Sequence, residues 1–276
     1  MPGAGAGPPP GFWEVLPLLD RASILGILGG VVLLLAGIRM GGPLGLFWNP
    51  PSVLIVLGGT IASVMVSYRL SDVVRAFSVL RRAFVNRQEP LPELVRYLVG
   101  VAERVRREGF SVLSEEAARA RDPYLSRALK LAADGFDSSY VRDVLAMEIL
   151  YLRDRHRVGQ GIFEMAGAVA PAFGMAGTLI GLIQMLPKMR TPEEMGPNLA
   201  VALVTTFYGV VLANLFFLPV AGKLRLRSQE EIVAREVVLE GVLSILSEEH
   251  PRVMEQKLSA VLRRGGERRE AVAGRG

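Results

Sequence analysis

Long uncharged stretches alternate with amphipathic, charge-rich ones along this chain. Four stretches carry no charged residue: Ala22–Ile38 (17 residues), Met40–Tyr68 (29), Met165–Pro187 (23) and Met195–Gly222 (28). An apolar helix needs about 20 residues to cross a hydrocarbon core of about 30 Å. The pattern therefore predicts membrane spans over about 22–38, 52–68, 162–186 and 198–221, with a short turn from Gly41 to Pro51 between the first two. Gly26, Gly29, Gly30 and Gly37 in the first span, and Gly58 and Gly59 in the second, are residues that let helices approach closely in lipid. Trp13, Phe47 and Trp48 suit a membrane–water boundary.

The polar stretches are patterned for helices too. In 69–160, Val74, Phe77, Leu80, Ala83 and Phe84 recur at helical spacing, as do Leu94, Leu98, Val101, Ala102 and Val105. Asp122-Pro123 breaks the pattern, and Ser138-Ser139 is positioned to cap a further helix through Arg153. Arg104 and Glu108, four apart, read as a solvated face. Beyond the fourth run, Ile232, Val233, Val237, Leu239, Val242, Leu243 and Leu246 predict an amphipathic helix, which Pro251 interrupts before a shorter one over 252–262. The Gly/Pro/Ala-rich residues 1–11 are expected to be disordered and lack the basic n-region of a signal peptide.

The expected architecture is all-α. It is an integral membrane protein of four transmembrane helices, with a helical cytoplasmic domain inserted between the second and third. Its segments are a disordered or interfacial N-terminus (1–21), helices 1 and 2 (22–68), the inserted domain (69–160), helices 3 and 4 (161–222) and cytoplasmic C-terminal helices with a tail (223–276).

Charge sets the orientation. Residues 69–157 hold 17 Lys/Arg against 13 Asp/Glu, and residues 223–276 hold 11 against 9, whereas residues 39–51 hold one basic residue and residues 187–197 hold Lys188 and Arg190 offset by Glu193 and Glu194. The positive-inside rule assigns the basic segments, and so both termini, to the cytoplasm. The formal net charge of +5 then reflects topology rather than nucleic-acid binding. With no cysteine and two well-separated histidines, His156 and His250, disulfides, cysteine nucleophiles and a metal centre are not expected. No GxxxxGK[ST] sequence occurs, so nothing points to ATP use.

The third and fourth runs contain no Asp, Glu, Lys, Arg or His within their uncharged limits. A proton or cation path through a bilayer ordinarily needs a titratable group inside it, so this chain is not a self-contained pump. The runs are still not plain lipid-facing helices. The third has Gly167, Pro171, Gly174, Gly177, Thr178, Gly181 and Gln184, including a GxxxG pair and a proline expected to bend the helix. The fourth has Thr205, Thr206, Tyr208, Gly209, Asn214 and Pro219. By residue type alone, each threonine either lines a wet path or bonds the carbonyl four residues back.

Two long blocks carry a resemblance. Ala170-Pro171-Ala172-Phe173-Gly174-Met175-Ala176-Gly177-Thr178-Leu179-Ile180-Gly181-Leu182 resembles the third-span signature of the MotA/PomA flagellar stator family, within the MotA/TolQ/ExbB proton channel superfamily. The block from Gly196-Pro197-Asn198 through Val204-Thr205-Thr206-Phe207-Tyr208-Gly209 to Pro219 and Lys223-Leu224 resembles its fourth. Pro50-Pro51-Ser52 with Gly58-Gly59, Gly241-Val242-Leu243 and Pro251-Arg252 extend the likeness over about residues 20–262.

The resemblance implies a non-enzymatic energy converter without a bound cofactor, the transported ion being H+ or Na+. It implies a pentamer around two copies of a MotB/PomB-type, single-span, peptidoglycan-binding partner. That partner would supply the missing carboxylate, and the rotor protein FliG would receive the torque. By position it assigns Thr178 and Thr206, with Thr205 adjacent, to the ion pathway, and Pro171 and Pro219 to conformational coupling. Gly174, Gly177 and Gly181 fall to helix packing. Arg106 falls to the rotor contact, where Ser114 occupies the usual glutamate position and Glu115 and Glu116 follow. The competing readings are a TolQ/ExbB-like subunit energising another envelope process, against which four spans argue, and a non-conducting membrane scaffold.

Overall fold

The computed structural model describes residues 18–19, 21–83, 85–86, 91–188 and 192–260. The expected disordered segment 1–11 and the basic tail lie outside them, as does Phe84. The described residues are helical apart from short turns and one two-residue antiparallel ladder, β1 (Leu18–Leu19) with β2 (Val85–Asn86). The helices are α1 (Arg21–Gly41), α2 (Pro50–Ser67), α3 (Leu70–Ala83), α4 (Leu91–Glu108), α5 (Ser111–Arg119), α6 (Pro123–Ala133), α7 (Ser138–Met185), α8 (Pro192–Val211), α9 (Leu218–Leu246) and α10 (residues 251–260). A π-turn at Leu212–Phe217 joins α8 to α9 without a break, and a second lies inside α2 at Leu54–Gly58.

Among the described residues, three helical stretches are long and apolar enough to cross a membrane: Pro50–Ser67, Ser138–Met185 and Met195–Leu246. The apolar part of α1, Leu25–Gly41, is shorter.

Two helix boundaries differ from expectation for one reason. The helix expected to stop near Arg153 runs on to Met185, 48 residues in all. The amphipathic helix expected after the fourth span is likewise continuous with it to Leu246. Polarity changes along both, near Gly159 and Gly161 in one and near Pro219 and Gly222 in the other; the helix carries through these weak points, because a change in polarity alone gives a hydrogen-bonded helix no reason to end. The cap of α7 also shifts by one residue. The Asp137 carboxylate accepts from the Ser139 N–H (3.0 Å) and hydroxyl, the role expected of Ser138-Ser139. Asp122 caps α6 through the Leu125 N–H (2.8 Å), with Pro123 in the first turn.

The described residues fold as two compact units, one drawn from within 18–86 and 157–224, the other from within 91–156 and 225–260. The second unit has an ordinary hydrophobic core. Leu98, Leu113, Leu129, Val141, Leu145, Val237, Val242, Met254 and Leu258 are buried together, and the predicted apolar stripe of α4 is buried in full. Gly241 sits under Leu98, whose Cδ1 lies 2.8 Å from where a Cβ would be. In the first unit, α3 buries Val73 and Ala76 rather than the expected Val74, which is 62% exposed. Of the expected stripe, the side chains of Phe77, Leu80 and Ala83 lie outside those described.

His156 is partly buried within the second unit. Its Nδ1 is 2.9 Å from the Ser228 hydroxyl and its Nε2 is 3.8 Å from a Glu231 carboxylate oxygen. Burial pushes its pKa below the ordinary 6.5; Glu231 opposes this, while Arg155 and Arg235 reinforce it. The folded protein thus binds fewer protons than the unfolded chain as pH drops below about 6.5, so this group's share of stability is full above that pH and is lost as pH falls through the depressed value. The melting temperature of the detergent-solubilised protein should fall on acidification. His156→Gln should flatten that fall; an identical slope in the variant would show that other groups cause it.

Candidate functional site

The first unit's site is built on a seam of small residues between α7 and α8. A Cβ on Gly181 would lie 2.7 Å from both the Asn198 carbonyl and the Ala202 amide nitrogen. On Gly177 it would meet Thr205 Cβ and Cγ2 at 2.5 Å, and on Gly174 the Thr205 carbonyl at 3.0 Å. Gly209 answers from the other helix, a Cβ there meeting the Ala170 carbonyl at 2.7 Å and Pro171 Cα at 3.1 Å. The expected GxxxG pair is thus part of a longer line of contacts. Close backbone approach of this kind is what holds helices together where lipid supplies no hydrophobic drive. Ser52 of α2 joins the seam by donating to the Val201 carbonyl at 3.4 Å, and the Tyr208 hydroxyl donates to the Phe47 carbonyl.

This approach brings Thr178 of α7 against Thr206 of α8. Their hydroxyls are hydrogen-bonded to each other. The Thr178 hydroxyl also reaches the Gly174 carbonyl (3.2 Å) and, across the seam, the Ala202 carbonyl (3.0 Å), and that of Thr206 reaches the Gly174 carbonyl at 3.4 Å. Each hydroxyl carries one proton and two acceptor lone pairs. Two protons therefore face more acceptors than they can satisfy, and the surplus oxygens suit a cation or a hydrated proton. Thr206 is exposed and Thr178 partly so; the surplus is reachable from the open side of the helix pair.

Thr205, expected beside them on the pathway, is placed elsewhere. It is fully buried, its hydroxyl bonds the Val201 (2.9 Å) and Ala202 (3.0 Å) carbonyls of its own helix, and its methyl packs on Gly177. One residue along a helix is a turn of about 100°, enough to move the side chain from the open face into the seam.

Pro171 lies inside α7, which remains helical through it. The proline leaves the Gly167 carbonyl without its usual N–H donor, two turns from Thr178 and beside Gly209. Pro219 follows the π-turn Leu212–Phe217. Such turns recur where a proline or a functional constraint disturbs the helical ladder. Apart from Pro219, no residue pattern predicts either π-turn.

The expected rotor-facing residues divide in the same way. Arg106, near the end of α4, is exposed and makes no ion pair among the described residues. Gly109 ends that helix at φ 85°, a conformation that favours glycine, and turns the chain into α5. Glu115 is exposed and lies 3.7 Å from Arg104 and 3.8 Å from Arg119. Glu116 is buried. It accepts from the Tyr97 hydroxyl at 2.7 Å, pairs with the Arg104 guanidinium and approaches Arg119 at 3.6 Å. The hydrogen bond from Arg104 to Glu108, with the charges of Glu108, Glu116 and Glu115, raises the arginine's pKa above its ordinary value. Glu116 is therefore a tie within the α4–α5 hairpin and not a surface contact.

Glu116→Ala should lower stability by about 1–3 kcal/mol, since it removes a buried carboxylate that accepts from the Tyr97 hydroxyl and pairs with Arg104, whereas Glu115→Ala should stay within about 0.5 kcal/mol. Thermal melts of the two variants check this; equal losses would contradict the assignment.

Among the described residues no cluster of His, Asp or Glu is arranged to hold a metal.

Residues 116–237 match the family described as the MotA/TolQ/ExbB proton channel family. The chain is 38% identical over 242 residues to the protein YtxD of Bacillus subtilis (strain 168), covering 87% of this chain and 89% of that one. It is 36% identical over 247 residues to the chemotaxis protein PomA of Vibrio alginolyticus, covering 90% and 97%. The solved flagellar MotAB stator complex from Bacillus subtilis superposes with a TM-score of 0.80 at 34% identity, over 87% of this chain and 94% of that one. With likeness running nearly end to end in sequence and in fold, this chain belongs to the MotA/TolQ/ExbB proton channel family, among the motility protein A and PomA proteins.

Proposed function

We propose that this protein is a flagellar motor stator subunit that forms, with a MotB/PomB-type partner, an ion channel whose current drives the rotor. The observation that carries the reading is the Thr178–Thr206 pair: an acceptor-rich, uncharged site in apolar runs without a carboxylate. Such a site can solvate a passing proton or sodium ion, but it cannot store charge. The charge-storing carboxylate must come from a second chain, as a partner with one membrane span and an aspartate would provide. Relatives named for motility and chemotaxis, and a stator complex of the same fold, support this reading.

In the full reading α1, whose 21 residues extend about 32 Å at 1.5 Å per residue, is a fourth membrane span. The protein lies in the inner membrane with both termini in the cytoplasm, and five copies surround two copies of the partner. Ion loading and release at the partner's aspartate shift the helices at Pro171 and Pro219, and the ring turns. Arg106 and Glu115 meet complementary charges on the rotor protein FliG. Exposed charges of this kind contribute little affinity but steer a transient contact.

A strain lacking this gene should assemble filaments that do not turn. Wild type should restore swimming, and a Pro171→Leu variant should not. Normal swimming of the deletion strain, in a genome with no second stator pair, would refute the flagellar assignment.

A further inference from the structure

Asn214 lies eight residues beyond Thr206 in the fourth apolar run, inside the π-turn Leu212–Phe217. Its side chain is exposed, and one amide N–H donates to the Val210 carbonyl at 3.0 Å. The carboxamide oxygen and the second N–H have no partner among the described residues. Transferring an amide from water to hydrocarbon without hydrogen bonds costs about 4–8 kcal/mol. A half-satisfied asparagine on the open face of a membrane helix therefore faces water or another polar group, and not lipid tails.

The face is shared with Thr206. Exposed positions along this helical stretch recur at Leu199, Leu203, Thr206, Val210, Asn214 and Leu218, and only Thr206 and Asn214 among them are polar. In a regular α-helix eight residues would leave Asn214 offset by about 80° from Thr206. A π-turn winds through fewer degrees per residue, and this one begins two residues before Asn214. The wider turn swings the asparagine back towards the threonine's side. The axial separation is about 12 Å, too far for direct contact, with Val210 between.

We propose that Asn214 is a second polar station on the ion's path, on the Lys223 side of the threonine pair. Its free carboxamide oxygen accepts from a water-borne proton or ligates a sodium ion. Being neutral, it lowers the cost of passing the apolar step at Val210 without trapping the ion. This rests on the stator reading.

The test uses the full chain produced with its single-span partner in cells lacking both genes. Rotation speed of tethered cells is recorded against external ion concentration for wild type, Thr206→Val, Asn214→Ala, Asn214→Leu and Asn214→Gln. Asn214→Ala and Asn214→Leu should slow rotation about tenfold, equivalent to about 1.4 kcal/mol on one ion-binding step, and raise the concentration giving half-maximal speed. Asn214→Gln, which keeps the carboxamide, should recover most of the speed. Partner co-purification should be unchanged in Asn214→Ala, which decides the matter if the leucine variant fails to assemble. Wild-type speed and ion dependence in Asn214→Ala, with Thr206→Val stopped, would overturn this proposal alone. A slowed Asn214→Ala with unshifted ion dependence and no rescue by glutamine would overturn it too, in favour of a packing role. Wild-type rotation in Thr206→Val would overturn the stator site itself.

Discussion

A valine at position 206 should stop ion-driven rotation while leaving the protein in the membrane and bound to its partner. The substitution keeps the shape of the side chain and removes its hydroxyl, and with it the hydrogen bond to Thr178 and the approach to the Gly174 carbonyl. Loss of that polar group should cost the passing ion about 1–3 kcal/mol, or about 5- to 150-fold in occupancy. Thr206→Ser, which restores the hydroxyl, should restore most of the speed. The neighbouring Thr205→Val is the informative contrast. That hydroxyl serves only carbonyls of its own helix, and a valine keeps the methyl packed against Gly177. Rotation of the Thr205 variant should stay within about twofold of wild type, far short of the fall expected on losing a polar group that meets the ion. Equal loss in the two valine variants would show that packing, and not ion contact, is being measured.

The largest effect on stability is expected at Gly181. A Cβ there meets backbone atoms on α8, the Asn198 carbonyl and the Ala202 nitrogen, both at 2.7 Å. No side chain can rotate away, so the helices must separate. Overpacking of this kind costs about 1–3 kcal/mol for alanine, and valine should exceed it. Separation would also break the Thr178 contact to Ala202, so Gly181→Val should lose folded protein and function together. Gly37→Ala is the control, because among the described residues nothing outside its own helix turn lies within 4 Å of its would-be Cβ. Yield and melting temperature of the solubilised protein read both. A Gly181→Val protein as stable as wild type would mean that the seam is looser than its distances imply.

These contrasts mark how far the sequence was readable. The apolar runs were legible because hydrocarbon tolerates few charges, and the core stripe of α4 because its period is unambiguous. The helix junctions were not legible. Gly159 and Gly161 at one junction, and Pro219 and Gly222 at the other, read as places where a helix could end, yet the helix runs through both, and a change in polarity alone does not stop it. Thr205 and Thr206 could not be separated either, since choosing between neighbours on a helix requires knowing which face the partner helix covers, and that is set by Gly177 on another run. By position Glu116 is grouped with the rotor contact. Its burial depends on Tyr97, nineteen residues away, which no local charge pattern reveals.

Rotation of tethered cells, followed while the proton and sodium gradients are collapsed one at a time, tests the central claim most directly. In cells whose only stator is this chain with its partner, speed should fall to zero with one gradient and persist without the other, naming the ion in the same experiment. Rotation that survives the loss of both gradients, or that continues in the absence of this chain, would contradict the account.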